Sequence, residues 1–207
     1  MNTLKITFKA IRIASILGFF LFLGCTNGKT KEINITQDSN EIESKILDEV
    51  IWHIKAIHPD GKLINVKAID KQGNIYDVKA IQNSDQSNIL DIKAFVNGKR
   101  LPIKILVSED KYMPVKAISA DGTIIDIKAL TTDGQILDVK GVSQSGNIIN
   151  IKAINKEGEF YGVKAISPKG WLNDVKGVKA TNKVIEAKIN GVEVYAHVKG
   201  LTQSYNQ

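Results

Sequence analysis

Lysine recurs through this chain at positions 55, 67, 79, 93, 104, 116, 128, 140, 152, 164, 176, 188 and 199. A regular row of ammonium groups can neutralise a matching row of carboxylates. It can also hold an anionic ligand such as an acidic glycan or a lipid headgroup. Acids stand two places before a lysine at Asp77, Asp91, Asp126, Asp138, Asp174 and Glu186. Lys55, Lys67, Lys104, Lys152 and Lys199 have the weaker claim to an internal partner and are the candidates for anion binding. His53 and His197 replace the acid in the first and last units. If the two ends of the sheet met, these histidines would form a two-histidine metal site or pH sensor. The competing reading is that terminal strands need no acid. Trp52, Trp171, Tyr161 and Tyr195 could stack on sugar rings, but their spacing defines no platform. No nucleophile elbow, phosphate loop, metal-ligand spacing or paired catalytic carboxylate stands apart from the repeat, so neither an enzyme nor a cofactor is expected.

The elements that must position these side chains are short strands. Most lysine steps are 12 residues, and a full unit reads Gly73-Asn74-Ile75-Tyr76-Asp77-Val78-Lys79-Ala80-Ile81. Its β-branched stretch of about seven residues is a strand, the turn cluster before it a hairpin loop, and no room is left for a helix. Placing Val66 opposite Val78 sets Lys67 against Asp77, Ala68 against Tyr76 and Ile69 against Ile75. The residual loop Lys71-Gln72-Gly73 ends on the glycine that a type I turn with a G1 bulge requires. The same register sets Lys116 against Asp126, and Asn97-Gly98 and Asn190-Gly191 read as two-residue type I′ turns. A parallel solenoid would instead stack lysine on lysine, which is unfavourable between direct neighbours. The Tyr76, Val78, Ala80 face, with a small residue following nearly every lysine, is the core face. The Ile75, Asp77, Lys79, Ile81 face is a charged ladder turned to solvent.

The expected architecture is therefore all-β: an antiparallel up-and-down meander of about 13 short strands. It should close into a barrel or fold into a two-layer sandwich, because an open sheet would leave two edges exposed. The three core-face positions of a unit span only about 13 Å, too little for a membrane barrel. Pro102 and Pro114 fall on the acid position, which predicts an edge strand or bulge and a sub-sheet break near 107–112. Ile42, Ile46 and Val50 predict a short amphipathic helix over 41–50, capped by Asn40; the alternative is a tether that continues to Val50.

The 207 residues carry a formal charge of +6, and the only cysteine is Cys25. Lys5, Lys9 and Arg12 precede an apolar run, Ile13 to Gly24, that is too short to span a bilayer and has the layout of a signal peptide. The ending Phe22-Leu23-Gly24-Cys25 resembles a bacterial lipobox, which implies cleavage after 24 and acylation of Cys25. Thr26 in place of Asp implies, by the same resemblance, delivery to the outer membrane. Cleavage removes three positive charges and lowers the net charge to +3, which argues against nucleic-acid binding. The organisation expected is residues 1–24 as signal, 25–40 as lipidated cysteine and tether, and 41–207 as one β-repeat domain. The V-K-A-I and D-G repeat behind a lipobox resembles uncharacterised bacterial lipoproteins of the same 12-residue pattern over about residues 50 to 201. That resemblance implies no activity. The function expected is a lipid-anchored, non-enzymatic structural or binding module of the envelope. The alternatives are an anionic-glycan-binding surface, a lipid- or small-ligand-binding barrel and an envelope enzyme.

Overall fold

The computed structural model describes residues 49–84 and 88–203. The signal segment, Cys25, the tether and residues 41–48 of the expected helix lie outside them. Val50, the last residue of that expected helix, instead opens the first strand. The strands are β1 (Val50–Ile57), β2 (Leu63–Ile69), β3 (Ile75–Gln82), β4 (Ile89–Val96), β5 (Lys99–Leu106), β6 (Met113–Ile118), β7 (Ile124–Leu130), β8 (Ile136–Ser145), β9 (Ile148–Ile154), β10 (Phe160–Ile166), β11 (Leu172–Val178), β12 (Ala187–Ile189) and β13 (Val192–Thr202). All pairings are antiparallel, and all 13 strands belong to one sheet.

The turn chemistry acts as expected. Gly73 and Gly122 have φ of 87° and 86°, and the Gly73 N–H donates to the Asp70 carbonyl at 3.1 Å. Asn97 and Asn190 adopt φ of 49° and 43° in their two-residue turns, the left-handed values a type I′ turn demands. Lys67 lies opposite Asp77, Ala68 opposite Tyr76, and Lys116 opposite Asp126.

Closure comes from a division of each strand's flanks. On one flank, β1 pairs with β2 through its C-terminal half and with β3 through its N-terminal half. β2 and β3 pair through their remaining halves, so the three strands form a pinwheel. The same arrangement joins β4, β5 and β13, then β6, β7 and β8, then β9, β10 and β11. The other flank of each strand pairs with a strand of a different group, along the seams β1–β10, β2–β7, β3–β4, β5–β6, β8–β9 and β11–β13. Four groups, each joined once to the other three, have the connectivity of a tetrahedron. Twelve strands thus have partners on both flanks, and only β12 pairs on one. The result is a closed cage rather than a plain barrel or two stacked sheets.

Two expectations are corrected here, and one feature of the seams is new. No sub-sheet break occurs near 107–112, because β5 pairs with β6 across that loop. Pro102 and Pro114 lie in strands paired on both flanks, yet each has only one cross-strand partner, Lys93 and Lys140 respectively. A missing N–H is tolerated at such half-paired positions. Lysine does face lysine, once in each seam: 55 with 164, 67 with 128, 79 with 93, 104 with 116, 140 with 152 and 176 with 199.

The core is the inward face. Val78 is 3% exposed and Ala80 fully buried, and the equivalent residues of the other strands form one contiguous cluster. Small residues after each lysine meet large ones opposite, as in Ala56 with Ile64 and Trp52 with Ala80. One strand inverts this rule. Ile105 stands where the repeat has alanine, and its partner Ala196 stands where the repeat has a large residue. The Ile105 Cδ1 also reaches Gly177 and Gly141; a Cβ on these would lie 2.3 and 3.3 Å from it. Inward residues of all four groups belong to that one apolar cluster.

Gly177→Ala should therefore destabilise the cage by about 1–3 kcal/mol through overpacking. Ile105→Val, which removes the nearest obstructing atom, should restore part of that loss in the double variant, since Ile149 Cβ would still lie 3.0 Å from the new methyl. Denaturant midpoints of the four proteins test the coupling; additive effects would contradict the contact.

Candidate anion-binding site

The outward face is organised by one register. In every group, each lysine lies opposite the residue two places before the next strand's lysine. In the third group Lys116 donates to Asp126 at 2.5 Å and Lys128 bonds Asp138. In the first group Lys67 meets Asp77 at 2.5 Å, Lys55 bonds the Asn65 amide oxygen, and Lys79 lies 3.3 Å from His53 Nδ1. In the second group Lys199 bonds Asp91, Lys104 lies 2.5 Å from His197 Nδ1, and Lys93 faces Pro102. In the fourth group Lys164 bonds Asp174, Lys176 donates to Asn150 at 2.7 Å, and Lys152 faces Gly162. Twelve lysines thus share five aspartates. Side chains such as those of Lys79 and Lys116 are only 21% and 23% exposed, as lysine stems laid along flanking aliphatic residues would be.

The five lysines singled out from sequence separate on this basis. Lys67 and Lys199 have carboxylate partners, so their claim to an external anion is weak. Lys55 and Lys104 face neutral partners. Lys152 has no hydrogen-bond or ion-pair partner among the described residues, and Lys93 and Lys140, which sequence reasoning passed over, share that property. The signal was present: Pro102, Pro114 and Gly162 each occupy an acid position and can offer a lysine no side-chain acceptor. Glu186 is not a ladder acid; it accepts from the Ala180 and Thr181 N–H groups, and Lys188 pairs with Glu193 instead. Trp52 and Tyr161 are buried, which removes them as sugar-stacking surfaces, whereas Trp171 is 61% exposed.

The two histidines are not brought together. His53 belongs to the first group and His197 to the second, and β1 does not pair with β13. Each stands against its own lysine. Burial, then the adjacent Lys104, lowers the His197 pKa. Burial, then Lys93 and Lys199, pulls Lys104 down to about 8, with Asp91 opposing. Burial, then Lys79, likewise lowers His53.

A polar cleft of about 430 Å³ opens where the β1–β2, β7–β8 and β9–β10 turns meet. Asp60, Thr131, Asp133 and Asn155 line it above Ile64 and Leu137. Its acids are held within their own turns: Asp60 pairs with Lys62 at 2.8 Å, and Asp133 accepts from Gln135.

The Lys104–His197 pair fixes a pH response. Between about 8 and 10.5 the unfolded chain holds a lysine proton that the folded chain has shed, so stability rises with pH across that window. As pH falls through 6.5 the unfolded chain gains the His197 proton more readily, so acidification destabilises. His197→Asp supplies the carboxylate that the repeat places there. It should add about 0.5–1 kcal/mol at pH 7 and flatten both limbs, as read from urea midpoints at pH 5, 7 and 9.5.

Comparison with curated proteins gave no match, and neither did comparison with solved structures. A family model described only as a family of unknown function, DUF7486, matches residues 48–201, the span of the cage. The chain belongs to that family.

Proposed function

We propose that this chain is a lipid-anchored cell-envelope protein whose β-cage acts as a non-enzymatic structural and binding module. The anchor reading is supported by the one cysteine, which follows an apolar run behind Lys5, Lys9 and Arg12. Acylation at Cys25 would hold the module to a membrane surface without spanning it, most simply at the outer membrane. The observation that carries the binding reading is the imbalance of the outward face. Three of the four groups set three lysines against a single aspartate. A cage that needed only internal neutralisation would fill its acid positions. Anionic material, acidic glycans in particular, suits such a surface. An enzyme is the least supported alternative: the polar cleft lies at a junction of turns and does not interrupt the lysine register.

Cys25→Ser should abolish fatty-acid incorporation and move the protein out of the membrane fraction. Unchanged labelling would sink the anchor. The binding reading is tested separately, by thermal shift of the full chain with acidic polysaccharides against neutral polysaccharides of similar size. A rise confined to the acidic set is expected, and equal responses would overturn the reading.

A further inference from the structure

The six lysine–lysine seams are not equivalent. In five, at least one lysine has a carboxylate within ion-pair distance: Asp77 or Asp138 at 67/128, Asp77 at 79/93, Asp126 at 104/116, Asp174 at 55/164, and Asp174 or Asp91 at 176/199. At the β8–β9 seam neither Lys140 nor Lys152 has an ion pair or a hydrogen bond among the described residues. Both vacancies have a named cause. Pro114 lies opposite Lys140, and Gly162 lies opposite Lys152.

We infer that the Lys140–Lys152 seam binds one oxyanionic group of an acidic saccharide. This deepens the binding reading above and rests on it. The two lysines are direct cross-strand partners on the outward face, flanked on both strands by inward, buried residues. Like charges so placed repel, and a carboxylate, sulfate or phosphate bridging them removes the repulsion. The nearest acid on the same strand, Asp138, forms its ion pair with Lys128 and acts on Lys140 only at longer range. Gly162 leaves the space such a group needs: a Cβ there would sit 3.9 Å from both Lys152 Nζ and Lys164 Cε. Beside the pair, next to the β8 bulge, Asn150 donates to the Ser143 hydroxyl at 3.0 Å and accepts from Lys176, which leaves the Ser143 proton free to donate outward. A neutral hydroxyl next to two cations suits a ligand rich in hydroxyls better than an acyl-chain surface.

The test uses thermal shift on the full chain with oligogalacturonate, dextran sulfate, neutral dextran, inorganic sulfate and phosphatidylglycerol vesicles. Sulfate raises the melting temperature of most proteins by exclusion, so differences between wild type and variants are read. At a hundredfold excess over Kd the wild type should gain roughly 5 °C or more. Lys140→Gln with Lys152→Gln should lose that gain while remaining folded. Gly162→Asp supplies the absent carboxylate opposite Lys152. It should melt higher without ligand and respond less to it, a pairing of effects that misfolding cannot produce. A gain that survives in the Lys140→Gln, Lys152→Gln protein overturns the site and leaves the binding reading standing. No gain in the wild type overturns both. A response to vesicles alone, or to sulfate as strongly as to the saccharides, overturns the saccharide assignment.

Discussion

The cage depends on one repeated opposition: a lysine against the residue two places before the next strand's lysine. On the same flank, each strand changes partners close to this point. On the other flank, its lysine meets the lysine of another group. Magnitudes separate what stabilises from what specifies. Exposed or half-exposed ion pairs are worth about 0.2–1 kcal/mol each. Full burial of an inward valine, isoleucine or leucine is worth about 1.5–3 kcal/mol. The apolar face therefore holds the cage together. The charged face fixes register, since a slip of one residue would turn the lysines inward.

Small residues after each lysine follow from the same geometry. Inward side chains of three strands converge beneath each pinwheel, and alanine at these positions is fully buried, as at Ala56, Ala68 and Ala80. Where the chain breaks the rule with Ile105, the extra volume is absorbed by Ala196 in its partner strand and by Gly141 and Gly177 from two other groups, where Ile149 crowds the same two glycines. Ile105, Ile149, Ala196, Gly141 and Gly177 are thus one packing decision, and the glycines serve space rather than turn conformation.

Turns, hairpin register, faces and strand number were legible in the sequence because each is written within a single 12-residue unit. Asp70 to Tyr76 contains everything needed to set Lys67 on Asp77. The seams were not legible. Near-identical units make almost any two strands acceptable partners, so repetition hides which pairs form. Repulsion between stacked lysines pointed correctly to antiparallel strands rather than a parallel solenoid, yet the seams do pair lysines, because most seam pairs are neutralised from within their own groups. Ile105 in an alanine position was the one internal sign of long-range packing, but its reading required Gly177 and Gly141 to be known as neighbours. The helix expected up to Val50 failed at that residue because β3 offers it a cross-strand partner in Gln82.

Departures from the repeat carry different weights. Histidine or asparagine in an acid position still accepts a hydrogen bond, so Lys55, Lys79, Lys104 and Lys176 keep a partner at reduced electrostatic gain. Proline and glycine offer no side-chain acceptor, so they leave a cation bare. Two such losses would be milder if they fell in separate seams, each relieved by a neighbour, as Lys93 is beside Lys79 and Asp77. Instead Pro114 and Gly162 strip both lysines of one seam. Local rules broken twice at one place, with no ion pair or hydrogen bond to either lysine among the described residues, are the pattern of a surface whose missing partner comes from outside the chain.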